Sequence, residues 1–76
     1  MTKTAVQNII YQFKHLDFNH MLIRLNDGSE ERIEKNHMPV IQVWLDGTIE
    51  FEYSDALVYI DSNKIEEIKL FQKLNL

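Results

Sequence analysis

Apolar residues near the start of the chain recur every three or four positions, which is the period of an amphipathic helix. Thr4 followed by Gln7 fits a capping box, in which each side chain satisfies a free backbone N–H of the first turn. A helix is therefore predicted to begin near Thr4, and it needs a sheet to cover its apolar stripe. The stripe consists of Val6, Ile9, Ile10, Phe13 and Leu16.

Beyond residue 19 the pattern changes to short strands separated by turns. Residues 20–25 (HMLIRL) predict a strand, and the Asn-Asp-Gly sequence after them favours a tight turn. Residues 30–34 (EERIE) predict a second strand, whose charge suits a sheet edge because it discourages unwanted strand pairing. Residues 35–39 are then a connector, and Pro39 fits just before a strand because it lacks a backbone donor.

Residues 40–53 predict a β-hairpin whose register follows from its apolar positions. A two-residue loop at Asp46 and Gly47 would mix apolar and charged side chains on both sheet faces, which a buried face does not tolerate. A three-residue loop, residues 45–47 with Gly47 at positive φ, avoids this conflict. The core face is then Ile41, Val43, Ile49, Phe51 and Tyr53, and the opposite face is Val40, Gln42, Trp44, Thr48, Glu50 and Glu52.

The C-terminal third is harder to interpret. Residues 56–60 (ALVYI) are apolar without alternation, which predicts a strand covered on both faces or central in the sheet. For the tail, a cap at Asn63 and Glu66 favours a helix, whereas a turn at residues 62–64 would lead into a last strand, EIKLF. The helix is the adopted prediction, because a helical step joins Ile65, Ile68, Phe71 and Leu74.

Together these elements predict a single α+β domain over residues 1–76. An N-terminal amphipathic helix would pack on an antiparallel sheet of about five strands, and a C-terminal helix would follow. If the tail is a strand instead, the order of elements resembles that of small Sm-like or SH3-like β-barrels with an N-terminal helix. A chain of this length buries only about 60% of its unfolded surface, so its stability is expected to be small.

The net charge of −4 comes from the middle of the chain. Residues 1–25 carry a balance of +2, residues 26–55 a balance of −6, and residues 56–76 a balance of zero. An acidic middle repels phosphate backbones, which disfavours nucleic acid as a partner, and it permits a basic protein surface. The plainer interpretation is a solvated face that keeps the protein in solution.

The composition also indicates in which cellular compartment the protein is expected. The sequence contains no cysteine, which excludes disulfides, cysteine-based zinc sites and a thiol nucleophile. The N-terminus lacks the apolar core of a signal peptide, and no run approaches the 18 or so apolar residues of a membrane span. We therefore expect a soluble cytoplasmic protein with no membrane partner.

No residue pattern indicates catalysis or a cofactor. The glycines lie in hairpin turns, so no phosphate-binding loop is expected, and no serine lies in a strand–turn–helix elbow. Glu50 and Glu52 are about 7 Å apart along a strand, as in an inverting glycosidase, but an open sheet offers no cleft for them. His15, His20 and His37 lack the spacing of a metal site. We expect no enzyme activity, no metal and no cofactor.

Trp44 is the most informative residue for function. On the predicted register it projects among carboxylates, and such a face suits a basic partner because tryptophan stacks on guanidinium groups while carboxylates pair with them. The alternative is that the C-terminal helix covers Trp44. The candidate partner-binding residues are Trp44, Gln42, Glu50, Glu52, Glu34 and Arg32, and Arg24 and Glu30 would extend the surface.

The leading hypothesis is thus a small non-enzymatic protein-binding module, such as an accessory or inhibitory factor of bacterial or phage type. Leu22 and Val40 are apolar positions on the polar face, which fit a partial second core or a homodimer interface. Two other classes stay open. One is a nucleic-acid-associated small β-barrel, with a positive surface from Lys3, Lys14 and Arg24, and the other is a self-assembling structural subunit.

Overall fold

The computed structural model describes residues 1–37, 40–53 and 55–72. Among these residues it has one α-helix, six strands and two short 3-10 helices. These are α1 (Lys3–His15), β1 (Phe18–Leu25), β2 (Glu30–Glu34), β3 (Val40–Val43), β4 (Thr48–Glu52), β5 (Leu57–Asp61) and β6 (Ile65–Gln72), with 3-10 helices at Lys35–His37 and Ser62–Lys64.

The strands form two antiparallel sheets rather than one. Sheet A has the order β2-β1-β6, and sheet B has the order β3-β4-β5. The α+β class is confirmed, with six strands in place of about five. No strand pairing within the described residues joins the two sheets into a closed barrel.

The two 3-10 helices are the corners at which the chain passes between the sheets. Lys35–His37 leads from β2 of sheet A towards β3, and Ser62–Lys64 leads from β5 back to β6. The second corner is held from inside, because both the N–H and the hydroxyl of buried Ser62 donate to the Gly47 carbonyl. It is also capped from outside, since the Asp61 carboxylate accepts from the Asn63 N–H at 2.9 Å.

Helix α1 begins earlier than the sequence pattern predicts. Its N-cap is Thr2, whose hydroxyl accepts from the Ala5 N–H at 3.2 Å, so the predicted capping box at Thr4 and Gln7 is wrong. At the other end Leu16 has extended backbone angles and an exposed side chain, so it caps the helix rather than completing the apolar stripe.

The core lies between α1 and the inner faces of both sheets. Helix α1 contacts β1, β3 and the second 3-10 helix, so it bridges the two sheets. The buried apolar residues are Val6, Ile10, Phe13, Met21, Ile23, Ile33, Ile41, Ile49, Phe51, Ile60 and Ile65. Among the described residues, no helix has the length and apolar character needed to cross a membrane.

The predicted hairpin register is confirmed. Val43 pairs with Ile49, and the N–H of Trp44 donates to the Thr48 carbonyl at 2.8 Å, which leaves the three residues 45–47 in the loop. Gly47 has φ of +90°, a value that glycine adopts freely because it has no Cβ. The charged strand β2 lies at a sheet edge, as predicted.

Strand β5 corrects the interpretation of residues 56–60. Among the described strands it pairs with β4 alone, so it is an edge strand, and Leu57 and Tyr59 on one of its faces are exposed. Both predicted alternatives, a strand covered on both faces and a strand central in the sheet, are therefore wrong. The lack of alternation reflects apolar side chains in contact with solvent. The prediction for Pro39 lies outside the described residues.

The predicted C-terminal helix is also wrong, because Ile65–Gln72 of the tail forms β6 beside β1. A bulge explains the helical step from Ile65 to Ile68: Arg24 pairs with Glu67 and Leu25 pairs with Ile65, so β6 has one extra residue there. Phe71 does not continue the step into the core, because it is exposed and stacks on His20. The bulge returns the chain to the same face after three residues instead of two or four. The prediction that Leu74 continues the helical step lies outside the described residues.

Candidate functional site

The register of sheet B arranges nine side chains in three rows on its outer face. Here β3 and β5 flank the central strand β4, and each row takes one residue from each strand or its end. The rows are Val40, Glu52 and Leu57; Gln42, Glu50 and Tyr59; and Trp44, Thr48 and Asp61. We refer to these nine residues as the acidic face.

The acidic face exposes large apolar side chains on both flanks of its central carboxylates. Trp44 is 45% exposed, and across the sheet Leu57 and Tyr59 are 55% and 57% exposed. The interpretation in which a C-terminal helix covers Trp44 fails, because the described tail is a strand of sheet A. Trp44 thus lies half in contact with solvent, near the exposed hairpin loop.

The carboxylates of this face have no cationic neighbour in their own segment. Residues 40–61 include five acids and no lysine, arginine or histidine. The ion pairs among the described residues all lie on sheet A; they are Arg24–Glu66, Arg24–Glu67, Arg32–Glu34 and Lys69–Glu67. Glu50 and Glu52 therefore contribute negative charge that the described part of the molecule does not neutralise.

Tyr59 is influenced by this charge. Partial desolvation raises the pKa of its hydroxyl above the ordinary tyrosine value, and a hydrogen bond to Glu50 and the charges of Glu50 and Glu52 raise it further. Its phenol lies directly across the sheet from Glu50. The carboxylates of Glu50 and Glu52 give the outer face of β4 and β5 a negative potential, which favours cations and disfavours anions.

The structure brings together only part of the predicted site. Trp44, Gln42, Glu50 and Glu52 share the acidic face, as the hairpin register requires. Arg32 and Glu34 lie instead on β2 of sheet A, where they pair with each other. The residues predicted to extend the surface, Arg24 and Glu30, face each other on sheet A as well.

Sequence reasoning missed the contribution of β5. Leu57, Tyr59 and Asp61 complete the three rows. The unbroken apolar run instead predicts a strand that is covered on both faces or central in the sheet. The strand register is the signal that could have found it: a pairing of Tyr53 with Ala56 places Tyr59 opposite Glu50. The structure has that pairing, since the Tyr53 N–H donates to the Ala56 carbonyl at 2.9 Å.

A cleft of about 440 Å³ adjoins the acidic face at one end. Its lining includes Tyr59 and Asp61 of β5, Asp27 of the β1–β2 turn, and Lys64. Hydrogen bonds from the hydroxyl and N–H of Ser29 lower the pKa of Asp27, which keeps that carboxylate ionised. Negative charge therefore continues from the sheet into the cleft, with one lysine beside it.

The three histidines lie in separate parts of the described structure. His15 packs against Tyr11 with ring centroids 4.4 Å apart, and His20 stacks on Phe71 at 4.5 Å. His37 lies in the first 3-10 helix. No group of three or more potential ligands for a metal ion occurs among the described side chains.

The chain matches no protein-family model, no curated protein and no solved structure, so the geometry and charge of its own residues carry the functional argument.

Proposed function

We propose that this protein is a small non-enzymatic binding module, and that its acidic face binds a basic surface on another protein. An accessory or inhibitory factor works in this way. The observation that carries the proposal is the combination of carboxylates outside any ion pair of the described residues with half-exposed Trp44, Leu57 and Tyr59 around them.

Each component of the face suits arginine or lysine. Glu50 and Glu52 attract the charged group, and carboxylates bind guanidinium in a bidentate geometry. Trp44 and Tyr59 offer aromatic faces for cation–π contacts, and tryptophan and tyrosine recur among residues that dominate binding energy. Leu57 and Val40 give apolar surface for the aliphatic stems of such side chains.

The same charge disfavours the other two classes. A phosphate backbone would be repelled by five acids in a segment without a base. Self-assembly through this face would place the carboxylates of two copies against one another. A basic protein surface has neither difficulty.

The test is a titration with hexa-arginine, followed by calorimetry and by the fluorescence of Trp44, the one tryptophan in the chain. The site variant carries Glu50→Gln and Glu52→Gln. The matched control carries Glu30→Gln and Glu66→Gln, which remove the same charge from sheet A. We expect the site variant to bind about tenfold more weakly, and the control to bind within about twofold of the wild type.

Equal weakening in both variants would contradict the proposal, because binding would then depend on net charge alone. Absence of binding to the wild type at low salt would contradict it as well. A gel shift with duplex DNA at low salt tests the nucleic-acid class, and the mass in solution at increasing concentration tests self-assembly. We expect no shift and an unchanged mass.

A further inference from the structure

The sheet edges differ in how they are protected from pairing with another strand. Natural edges are protected by charged side chains or by covering elements. In β2 four of five residues are charged, and β6 includes three charged residues. Strand β3 is covered by α1, and the Lys14 ammonium donates to the Ile41 carbonyl at 2.9 Å. Only β5, among the described edges, has neither protection before its terminal Asp61.

The hydrogen bonds at both ends of β5 determine the direction of its backbone groups. At one end the Tyr53 N–H donates to the Ala56 carbonyl at 2.9 Å, and at the other the Ser62 N–H donates to the Gly47 carbonyl at 3.0 Å. Both contacts belong to hydrogen-bonded pairs of one antiparallel ladder, whose register is uninterrupted between them. Bonded and non-bonded pairs alternate along such a ladder.

Leu57, Tyr59 and Asp61 therefore stand in non-bonded pairs with β4. The backbone N–H and C=O groups of these three residues point away from β4 and outward from the free edge of sheet B. The side chains of the same residues lie on the acidic face. A segment that pairs with this edge would consequently place every second side chain on the acidic face as well.

We propose that β5 receives an extended segment of the partner protein as an added antiparallel strand, with arginine or lysine at every second position and apolar residues between. The proposal rests on the proposed function and specifies its mode of binding. Antiparallel pairing matches every other strand pair in the described chain. Main-chain bonds would supply affinity and the alternate side chains would supply specificity.

The charge of the acidic face and the burial of Val58 favour a segment that alternates basic and apolar residues. A basic side chain opposite Tyr59 can stack on its ring and extend towards Glu50, and one opposite Asp61 meets a carboxylate directly. The alternate side chains would lie beside half-buried Val58, on the core side of the sheet, where apolar residues fit. A second copy of β5 would instead bring Asp61 and the acidic face of another molecule into contact.

The first test uses a hexapeptide, Arg-Val-Arg-Val-Arg-Val, and two N-methylated forms with the same composition and charge. In antiparallel pairing with the arginines on the acidic face, the arginine N–H groups point to β5 and the valine N–H groups point away. Methylation of the arginine nitrogens should weaken binding about tenfold or more, whereas methylation of the valine nitrogens should leave it within about twofold.

The result also separates this proposal from the function on which it rests. If both methylated forms bind as well as the parent peptide, strand addition is wrong and charge recognition stands. Binding of hexa-arginine without binding of the alternating peptide would overturn strand addition too. If neither hexa-arginine nor the alternating peptide binds, the proposed function itself fails.

The second test measures changes in the protein when the alternating peptide binds. Hydrogen exchange should slow at the amides of Leu57 and Tyr59 when the peptide binds, and it should change little at Val58, whose N–H is already directed towards β4. Leu57→Pro removes one edge donor without removing a ladder bond, and Leu57→Ala removes the side chain but keeps the donor. We expect the proline variant to bind about threefold or more weaker than the alanine variant. Equal affinities, with both variants folded, would contradict strand pairing at β5.

Discussion

At the scale of single residues, Gly47 sets the register that builds the acidic face. Its φ of +90° lies in a region that residues with a Cβ rarely adopt. An added Cβ would lie 3.8 Å from Ser62, which is ordinary contact, so the penalty comes from the backbone. We expect Gly47→Ala to lower the free energy of unfolding by about 1–2 kcal/mol, measured by urea denaturation. A neutral effect would mean that the loop adopts another conformation.

Tyr59 provides a pH-dependent signal from the candidate site. Its pKa is raised because partial desolvation, the hydrogen bond to Glu50 and the nearby carboxylates all disfavour the phenolate. The folded chain therefore retains this proton more strongly than the unfolded chain. The resulting stability is complete below the unfolded pKa of about 10, and it is lost as the pH rises through the folded pKa.

An absorbance titration of the tyrosines, with Tyr59→Phe to assign the signal, measures this pKa. Glu50→Gln should move the Tyr59 transition towards lower pH, because the substitution removes a negative charge beside the phenol. Glu30→Gln on sheet A should leave it in place. A Tyr59 transition at the ordinary value in the wild type would contradict the described contact between Tyr59 and Glu50.

At the scale of elements, helix α1 begins at a different residue from the one that the sequence pattern predicts. The hydroxyl of Thr2 caps the helix, whereas Thr4 lies inside its first turn. Thr2→Ala should lower the free energy of unfolding by about 1 kcal/mol. Thr4→Ala should be neutral or slightly stabilising, because alanine is the better helix former. Urea denaturation of both variants measures the difference, and the reverse order would restore Thr4 as the cap.

At this scale the sequence predicts an element correctly where its alternative conformations would bury different residues. In the hairpin a shift by one residue would have exposed Ile49 and Phe51, so a single register was acceptable. In the tail the bulge opposite Leu25 lets a strand place Ile65 and Ile68 on one face. A helix does the same, so periodicity alone did not distinguish the two. The sequence pattern does not encode a bulge that forms only on pairing with β1.

At the scale of the whole molecule, the two sheets use charge differently. Sheet A pairs part of its acids with Arg24, Arg32 and Lys69. In sheet B the charged residues of the segment 40–61 are all acids. The sequence predicted the acidic middle, but it grouped Arg32 and Glu34 with Trp44 because it did not predict a division into two sheets. Which strands share a sheet depends on long-range pairing, and the paired residues of β1 and β6 are 40 to 54 positions apart in the sequence.

This division predicts that binding residues of sheet B contribute little to folding. Glu50 and Glu52 form no ion pair within the described chain, and their mutual repulsion opposes the folded state. The double variant Glu50→Gln and Glu52→Gln should therefore be as stable as the wild type, or more stable by up to about 1 kcal/mol. Arg24→Gln, which removes two ion pairs from sheet A, should instead lower stability.

Urea denaturation at low and high salt measures both effects. Salt should reduce the difference between the double variant and the wild type, because it screens the repulsion among exposed carboxylates. A variant that binds hexa-arginine weakly but folds at least as well as the wild type identifies side chains retained for a partner. A clear loss of stability in the double variant would mean that Glu50 and Glu52 support the sheet itself, and it would remove the main argument for a binding role.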